Sequence, residues 1–350
     1  MPLLTTTIGS SPKPDYVPTP DWFRAKRLNL PDPTKAFDEF ARAQPGDLEQ
    51  LLEQGTHEAV QDQVNAGIDV PTDGEVRREN YIYYHCRRLD GIDFSQLTKK
   101  VMRAGTWEAQ VPTIIGPIKA RDHFLPRDWR IAQSVTERPV KITIPGPLTI
   151  ADSVADSYYQ DERLLGAALA DAINLEIQAL AEAGCTWIQV DEPVFAREPE
   201  KALAFGIENL ERCFHGVPPR VTRSMHMCCG YPDVLDNEAY PKADPNAYFS
   251  LAPALDESSI QAVSIEDAHR HNDLSLLEHF TDTQVIFGAI AIARSRVEPV
   301  EEISSRLSQA LEHIDAQRLI AAPDCGLGML DRETAIAKMS NLATAAHSLG

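Results

Sequence analysis

Long apolar runs are missing from this 350-residue sequence. None approaches the ~20 residues that a membrane span needs, so no span is expected. Basic residues are also short: 33 Lys and Arg stand against 52 Asp and Glu, for a formal net charge of −19. That balance excludes a general nucleic-acid binder or a binder of anionic membranes, which would want basic surface. Cysteine is sparse, with six residues at 86, 185, 213, 228, 229 and 325. They lack the density of a disulfide scaffold, so each is a buried apolar residue, a ligand or a nucleophile. The N-terminus, MPLLTTTIGSSPKP, has neither a basic n-region nor an apolar h-region. No signal peptide is therefore expected, and a cytoplasmic setting, where thiols stay reduced, is the expectation. No repeat, low-complexity block or long linker divides the chain, so residues 1–350 are expected to form one domain.

What is present is a recurrence of short β-rich runs, most of them ending in Gly, Pro or acidic residues. They are Leu3–Ile8, Gly67–Pro71, Val140–Ile144, Thr186–Val190, Val221–Met227, Ala262–Ile265, Val285–Ile290 and Leu319–Ala322. Helical patterns separate most of them, such as Asp161–Ala183 and Val300–Ile314, with apolar residues recurring at three and four. Strands alternating with helices imply a parallel sheet covered by helices. Eight such units predict a (β/α)8 TIM barrel; a doubly wound open sheet is the alternative. One stretch does not fit: residues 96–118, and Val101–Ile118 above all, read as a β-hairpin excursion turning at Ala104-Gly105.

In a barrel, chemistry sits at the C-terminal ends of the strands. Polar residues cluster there: Ile8-Gly9-Ser10 after the first run, Asp73-Gly74-Glu75 after the second, Asp191-Glu192 after the fourth. The fifth run delivers His226 and Cys228, the sixth Glu266 and Asp267, the eighth Asp324 and Cys325. In His226-x-Cys228 both side chains point to one side of an extended segment, and Cys229 points the other way into packing. With Glu266 and Cys325 the set offers two thiolate sulfurs, one imidazole nitrogen and one carboxylate oxygen. Such donors suit zinc rather than calcium or magnesium. The bland reading also stands, because buried Cys is common and a lone His-x-Cys fits core packing. A Cys228–Cys229 redox pair is disfavoured by the geometry of neighbouring cysteines. His269 and His271, just after Glu266, are candidates to stand behind the ligands.

These residues resemble the catalytic barrel of the cobalamin-independent methionine synthase family, in its short form. The match runs through TTTIGS at 5–10, DGEVRREN at 73–80, IPGPLTI at 144–150, IQVDEP at 188–193, HMC at 226–228, SIED at 264–267 and PDCGLG at 323–328. The resemblance implies Zn2+ held by His226, Cys228, Glu266 and Cys325. It implies homocysteine held by Ile8, Gly9 and Ser10 at its carboxylate and by Glu75 and Asp191 at its ammonium. Asp191 and Glu266 are the residues it points to in catalysis. The implied reaction converts homocysteine to methionine, with the thiolate activated on zinc.

On the methyl-donor side the sequence departs from the family. The family's proton-donating histidine is replaced by Ala293, its folate-stacking tryptophan aligns with Ser153, and its Arg-Cys folate contact falls at Pro112–Ile115. A methyl group on a pterin nitrogen needs an acid to leave, whereas a methyl on a corrinoid cobalt does not. The donor is therefore left open among methylcobalamin, a corrinoid protein delivered as a separate partner, and 5-methyltetrahydrofolate. Arg294 and Arg296 are placed where the donor would approach. Three rivals remain. An epoxyalkane:coenzyme M transferase-like alkyltransferase has no use for acids that grip an ammonium. A uroporphyrinogen decarboxylase uses no metal. A non-catalytic zinc-binding scaffold would favour four closed Cys/His ligands.

Overall fold

Seven of the eight expected runs form strands in the computed structural model, which describes residues 2–23, 33–43, 46–102, 107–231, 234–237 and 239–349. The strands are β1 (Leu4–Thr5), β2 (Leu89–Met102), β3 (Trp107–Ala120), β4 (Ile142–Pro145), β5 (Ala155–Asp156), β6 (Trp187–Asp191), β7 (Thr222–Met227), β8 (Ala262–Ile265), β9 (Gln284–Ile290) and β10 (Leu319–Pro323). The main sheet is parallel, in the order β1-β10-β9-β8-β7-β6-β4. Its strands are short and nearly all buried, as expected where helices cover one face and the curl closes over the other.

The expected closed eight-stranded barrel is not what forms. The sheet is a curled, open seven-stranded half-barrel whose edges lie 15 Å apart. The missing member is Gly67–Pro71. That segment and Thr72 lie in the gap and touch the edges through two isolated bridges, Thr6 with Val70 and Thr72 with Lys141. One backbone bond to each edge, Val70 N–H to Thr5 O at 3.0 Å and Lys141 N–H to Pro71 O at 2.8 Å, together with side chains takes the place of a ladder. The Asp69 carboxylate accepts the Thr5 N–H at 2.9 Å and the Thr5 hydroxyl at 2.8 Å, and the Asp69 N–H returns to that hydroxyl. Pro71 has no N–H to give, and the Thr72 N–H goes to Gln63 Oε1 at 2.8 Å. An apolar run with two acceptor-rich side chains nearby and a proline at its end satisfies its backbone without becoming a strand.

β2 and β3 form a long antiparallel hairpin outside the main sheet, joined by β5, and it is longer than the expected 96–118. The expected turn at Ala104-Gly105 lies outside the described residues. Helix Glu162–Ala183 packs its Leu169, Ile177 and Leu180 into the core. Burying each such side chain stabilises the fold by roughly 1.5–3 kcal/mol. Asp161 caps this helix, its carboxylate accepting the Arg163 and Leu164 N–H groups at 2.9 and 3.0 Å. By length and composition it is the one described helix apolar enough to cross a membrane, and its apolar face lies against the sheet. Cys86, Cys185 and Cys213 are buried packing residues.

Candidate metal and ligand site

Three strand ends on the same side of the sheet bring four donor side chains together. β7 carries His226 and releases Cys228 one residue past its end; Glu266 follows β8; Cys325 follows β10 by two. One donor atom from each of His226, Cys228, Glu266 and Cys325 lies within 4.8 Å of the others. The Cys228 thiol donates to Glu266 Oε1 at 2.9 Å, and Cys325 Sγ stands 3.4 Å from His226 Nε2. A tetrahedral ion with ligand bonds of about 2.0–2.3 Å has ligand–ligand edges of about 3.5 Å, so the cluster is of the right size. Glu266 Oε2 is buried with no partner, a state that costs about 1–3 kcal/mol or more for a polar group. A cation among the four would satisfy it.

The protonation states point the same way. Burial, with Lys141 adding to it, pushes His226 down to about 3, so the imidazole is neutral, as a ligand must be. The hydrogen bond with Cys325 and burial push the Cys228 thiol well up. Burial, then the nearby Cys228 sulfur, pushes Glu266 well above the usual carboxylate range. The Cys228 and Glu266 shifts are the cost of holding negative charge here without a positive partner, and a bound cation reverses them.

The cluster is braced from behind. Ser264 Oγ is 2.9 Å from His226 Nδ1, which leaves Nε2 to face Cys325. The Tyr248 hydroxyl donates to Met227 O at 3.0 Å and accepts the Glu266 N–H at 3.3 Å, so it bridges the ends of β7 and β8. Asp324 ties β8 to β10: its carboxylate accepts the N–H groups of Asp267 and Ala268 at 2.9 Å and of His269 at 2.7 Å. It also takes the His269 ring at Nδ1, 2.6 Å away. Because His269 Nε2 accepts the Ala293 N–H at 3.0 Å, the ring proton sits on Nδ1. A Cβ on residue 288 would fall 2.2 Å from Asp324 Oδ1, so only glycine leaves room for this carboxylate. Glu266, His269 and Asp324 also lie close enough to suggest a second ion, but Asp324 and His269 are already saturated. Cys229 turns away, to the Tyr248 hydroxyl at 3.1 Å and Arg270 at 3.5 Å, and His271 is exposed.

A cavity of about 1200 Å³ adjoins the cluster. His226, Cys228 and Cys325 line it, and so do Ile8, Gly9, Ser10, Glu75 and Asp191; Glu266 lies just behind. Glu75 sits in left-handed backbone at φ 54, a conformation costing of order 1 kcal/mol for such a residue. Thr143 holds it there, its hydroxyl donating to Oε1 at 2.7 Å, with the buried Arg78 guanidinium at 3.3 Å. A Cβ on residue 9 would come 2.7 Å from that same Oε1, which makes Gly9 a requirement of Glu75. Asp191 Oδ1 accepts from the Gln189 amide at 2.7 Å. Burial, and then Glu75, pushes Asp191 well above its ordinary range; burial likewise raises Glu75, opposed by Arg78. Two buried carboxylates that repel one another favour a cation between them. The Gly9 and Ser10 N–H groups meet no acceptor among the described residues.

The opposite side of the cavity is different. Ser153 lines it, beside Asp152, Arg197 and Lys242. Ala293 is fully buried and lies outside the lining. The arginines expected at the donor's approach are not there: Arg296 pairs with Glu302 on the surface, and Arg294 Nη1 stands 3.5 Å from Ala268 O. Pro112–Ile115 also lies outside the lining, which β3 reaches instead through Glu108, Ala109 and Gln110. Sequence reasoning missed the aromatic residues Trp22, Phe23, Tyr81, Tyr83 and Tyr231 of this cavity. It also missed Lys141, Gln189 and Tyr248. For Lys141 and Gln189 a signal existed, a lone polar residue inside an apolar strand run.

Residues 3–348 match the family described as "Cobalamin-independent synthase, Catalytic domain". The methionine synthase of Saccharolobus solfataricus is 30% identical over 346 residues, 98% of this chain and 93% of that one. That of Thermococcus kodakarensis is 27% identical over 345 residues, covering 98% and 92%. Among solved structures, the B12-independent methionine synthase of Shewanella sp. W3-18-1, in complex with selenomethionine, superposes with a TM-score of 0.86 at 28% identity. That superposition covers 99% of this chain and 97% of the other.

Proposed function

This chain belongs to the cobalamin-independent methionine synthase family through its catalytic domain, and we propose that it is a zinc-dependent methyltransferase converting homocysteine to methionine. The observation that carries this reading is one cavity with two unmet needs. A buried soft-donor cluster has an unpartnered carboxylate oxygen, and beside it Asp191, repelled by the Arg78-paired Glu75, has no cation within ion-pair distance among the described residues. A metal ion answers the first and the ammonium of an amino acid answers the second. That the Shewanella relative was solved with selenomethionine supports an amino acid of this shape in the same place.

In this reading the whole chain is one catalytic unit. His226, Cys228, Glu266 and Cys325 hold Zn2+. Zinc bound there would supply a thiolate nucleophile from a thiol that is otherwise mostly protonated at neutral pH. Asp191 and Glu75 take the substrate ammonium through charge-assisted hydrogen bonds. The N–H groups of Gly9 and Ser10, beside Ile8, take its carboxylate. Anchoring both charges of the amino acid at one wall directs its side chain toward Cys228 and Cys325. Glu266, as a ligand, would stay a carboxylate, and the proton that leaves the substrate thiol passes to solvent through the open cavity. The sulfur then forms a bond to the methyl carbon while the donor departs with the electron pair of the broken bond.

The donor is of a kind that needs little help in leaving. The cavity far exceeds an amino acid in size, and Ala293 neither carries a proton nor reaches its wall. A corrinoid donor, methylcobalamin or a corrinoid protein, suits these features better than 5-methyltetrahydrofolate. The test is turnover of zinc-loaded protein with homocysteine and each donor in turn, reading methionine directly. Methionine from methylcobalamin alone is the expected result. Methionine from the folate would reassign the donor. No methionine from either donor, with thioether formed from coenzyme M and an epoxide, would replace the reading altogether. A sulfonate thiol has no ammonium to offer Asp191 and Glu75, so that outcome is not expected.

A further inference from the structure

Lys141 is a charged residue in the wrong kind of place. It interrupts an apolar run between Val140 and Ile142, and its side chain is fully buried. Strand alternation sends Val140 and Ile142 into the helix-facing core and turns Lys141 inward. Its ammonium nitrogen has one hydrogen-bond partner among the described residues, Gln189 Oε1 at 2.7 Å, and no carboxylate within ion-pair distance. Burial brings it down to about 7, opposed by the more distant Asp191. A neutral core side chain would avoid the cost of burying this group, so its placement calls for a function.

Gln189, also fully buried, continues the line. Its amide nitrogen donates to Ile8 O at 2.8 Å and to Asp191 Oδ1 at 2.7 Å. A glutamine amide has two ends of opposite polarity, and the partner at one end fixes the other. A charged lysine nitrogen donates and cannot accept. It therefore holds the amide oxygen to itself and aims the NH2 group at Ile8 and Asp191. If the amide turned over, its oxygen would face the Asp191 carboxylate.

We propose that Lys141 is a positioning residue: through Gln189 it fixes Asp191 as an acceptor, and so selects ligands that carry an α-ammonium. This rests on the reading of the cavity as an amino-acid site. Lys141 touches no ligand itself; it acts by setting the direction of two hydrogen bonds.

The experiment measures, by calorimetry on zinc-loaded protein, the affinity for L-methionine and for its des-amino analogue. In the wild type, methionine should bind and the analogue should bind far more weakly. Failure of the wild type to tell them apart would overturn the reading of the cavity, and this inference with it. In Lys141→Met, methionine affinity should fall about 10-fold or more, the equivalent of one lost charge-assisted hydrogen bond, while the analogue is unchanged. Gln189→Glu keeps Lys141 and nearly the same shape but sets a carboxylate against Asp191. It should give the same selective loss, and it carries the test if Lys141→Met does not fold. Equal losses for both ligands in a folded variant, or no loss, would overturn the proposal.

Discussion

The two sides of the cavity are built to different standards. On the metal side every ligand has a buried support: Ser264 behind His226, Tyr248 between the ends of β7 and β8, Asp324 between β8 and β10. On the donor side the lining comes from the hairpin, helix ends and loops. Its polar residues make looser contacts, such as Arg197 to Asp152 at 3.5 Å and Lys242 over the Tyr240 ring at 3.9 Å. An ion bound at about 2.0–2.3 Å tolerates little error in ligand placement, and that error is suppressed by buried hydrogen bonds. A large donor bound over a wide surface makes no such demand. Under the proposed function, the thiol end of the cavity is specific to one chemistry, while the donor end can change without disturbing it.

The sharpest way to break this comparison is to remove a ligand. Cys325→Ser should lose bound metal by well over 100-fold, more than the loss of a mere supporting residue, and turnover should vanish with it. The melting temperature should move by only a few degrees, because the change is nearly isosteric. Zinc content by elemental analysis, alongside a melting curve, decides it. Full turnover in a zinc-free variant would remove the metal from the account. Asp191→Asn comes next. Removing one charge of a buried charge-assisted pair costs about 2–4 kcal/mol, so the homocysteine KM should rise roughly 30-fold or more. Zinc content should stay the same, since Asp191 faces the amino-acid wall. Parallel loss of zinc would mean that Asp191 belongs to the metal side.

Much of the metal side was legible from strand ends alone. His226 sits at the end of a recognisable apolar run, Cys228, Glu266 and Cys325 each follow one, and a parallel sheet must gather such ends on one side. Two things were not legible. The run GIDVP has the composition of a strand, yet Asp69 and Pro71 divert its hydrogen bonds, and a local pattern does not reveal which acceptor a distant threonine will find. Ala293 and the arginines after it follow a strand end too, but their side chains are decided by what fills the loop. Here His269 captures the Ala293 N–H, and the buried Lys338 ties down Ala291 O, Arg296 O and Glu298. Both misses concern side chains reaching across the fold, where spacing along the chain carries no information.

The same loop gives the smallest and most discriminating prediction. If the donor side were merely a damaged copy of a folate-using relative, Ala293→His would repair it and raise turnover with 5-methyltetrahydrofolate. The surroundings argue against repair. Ala293 is fully buried, its N–H is held by His269, its carbonyl accepts the Asp236 N–H at 2.7 Å, and it does not reach the cavity. An imidazole placed there overfills a packed site, at a cost of about 1–3 kcal/mol. The expected result is a melting temperature lowered by several degrees, zinc content unchanged, and turnover with the folate altered by less than about 3-fold, since no catalytic contact is gained. A clear gain with the folate would show that the loop can still open onto the donor, and the two sides of the cavity would then differ by one residue rather than by design.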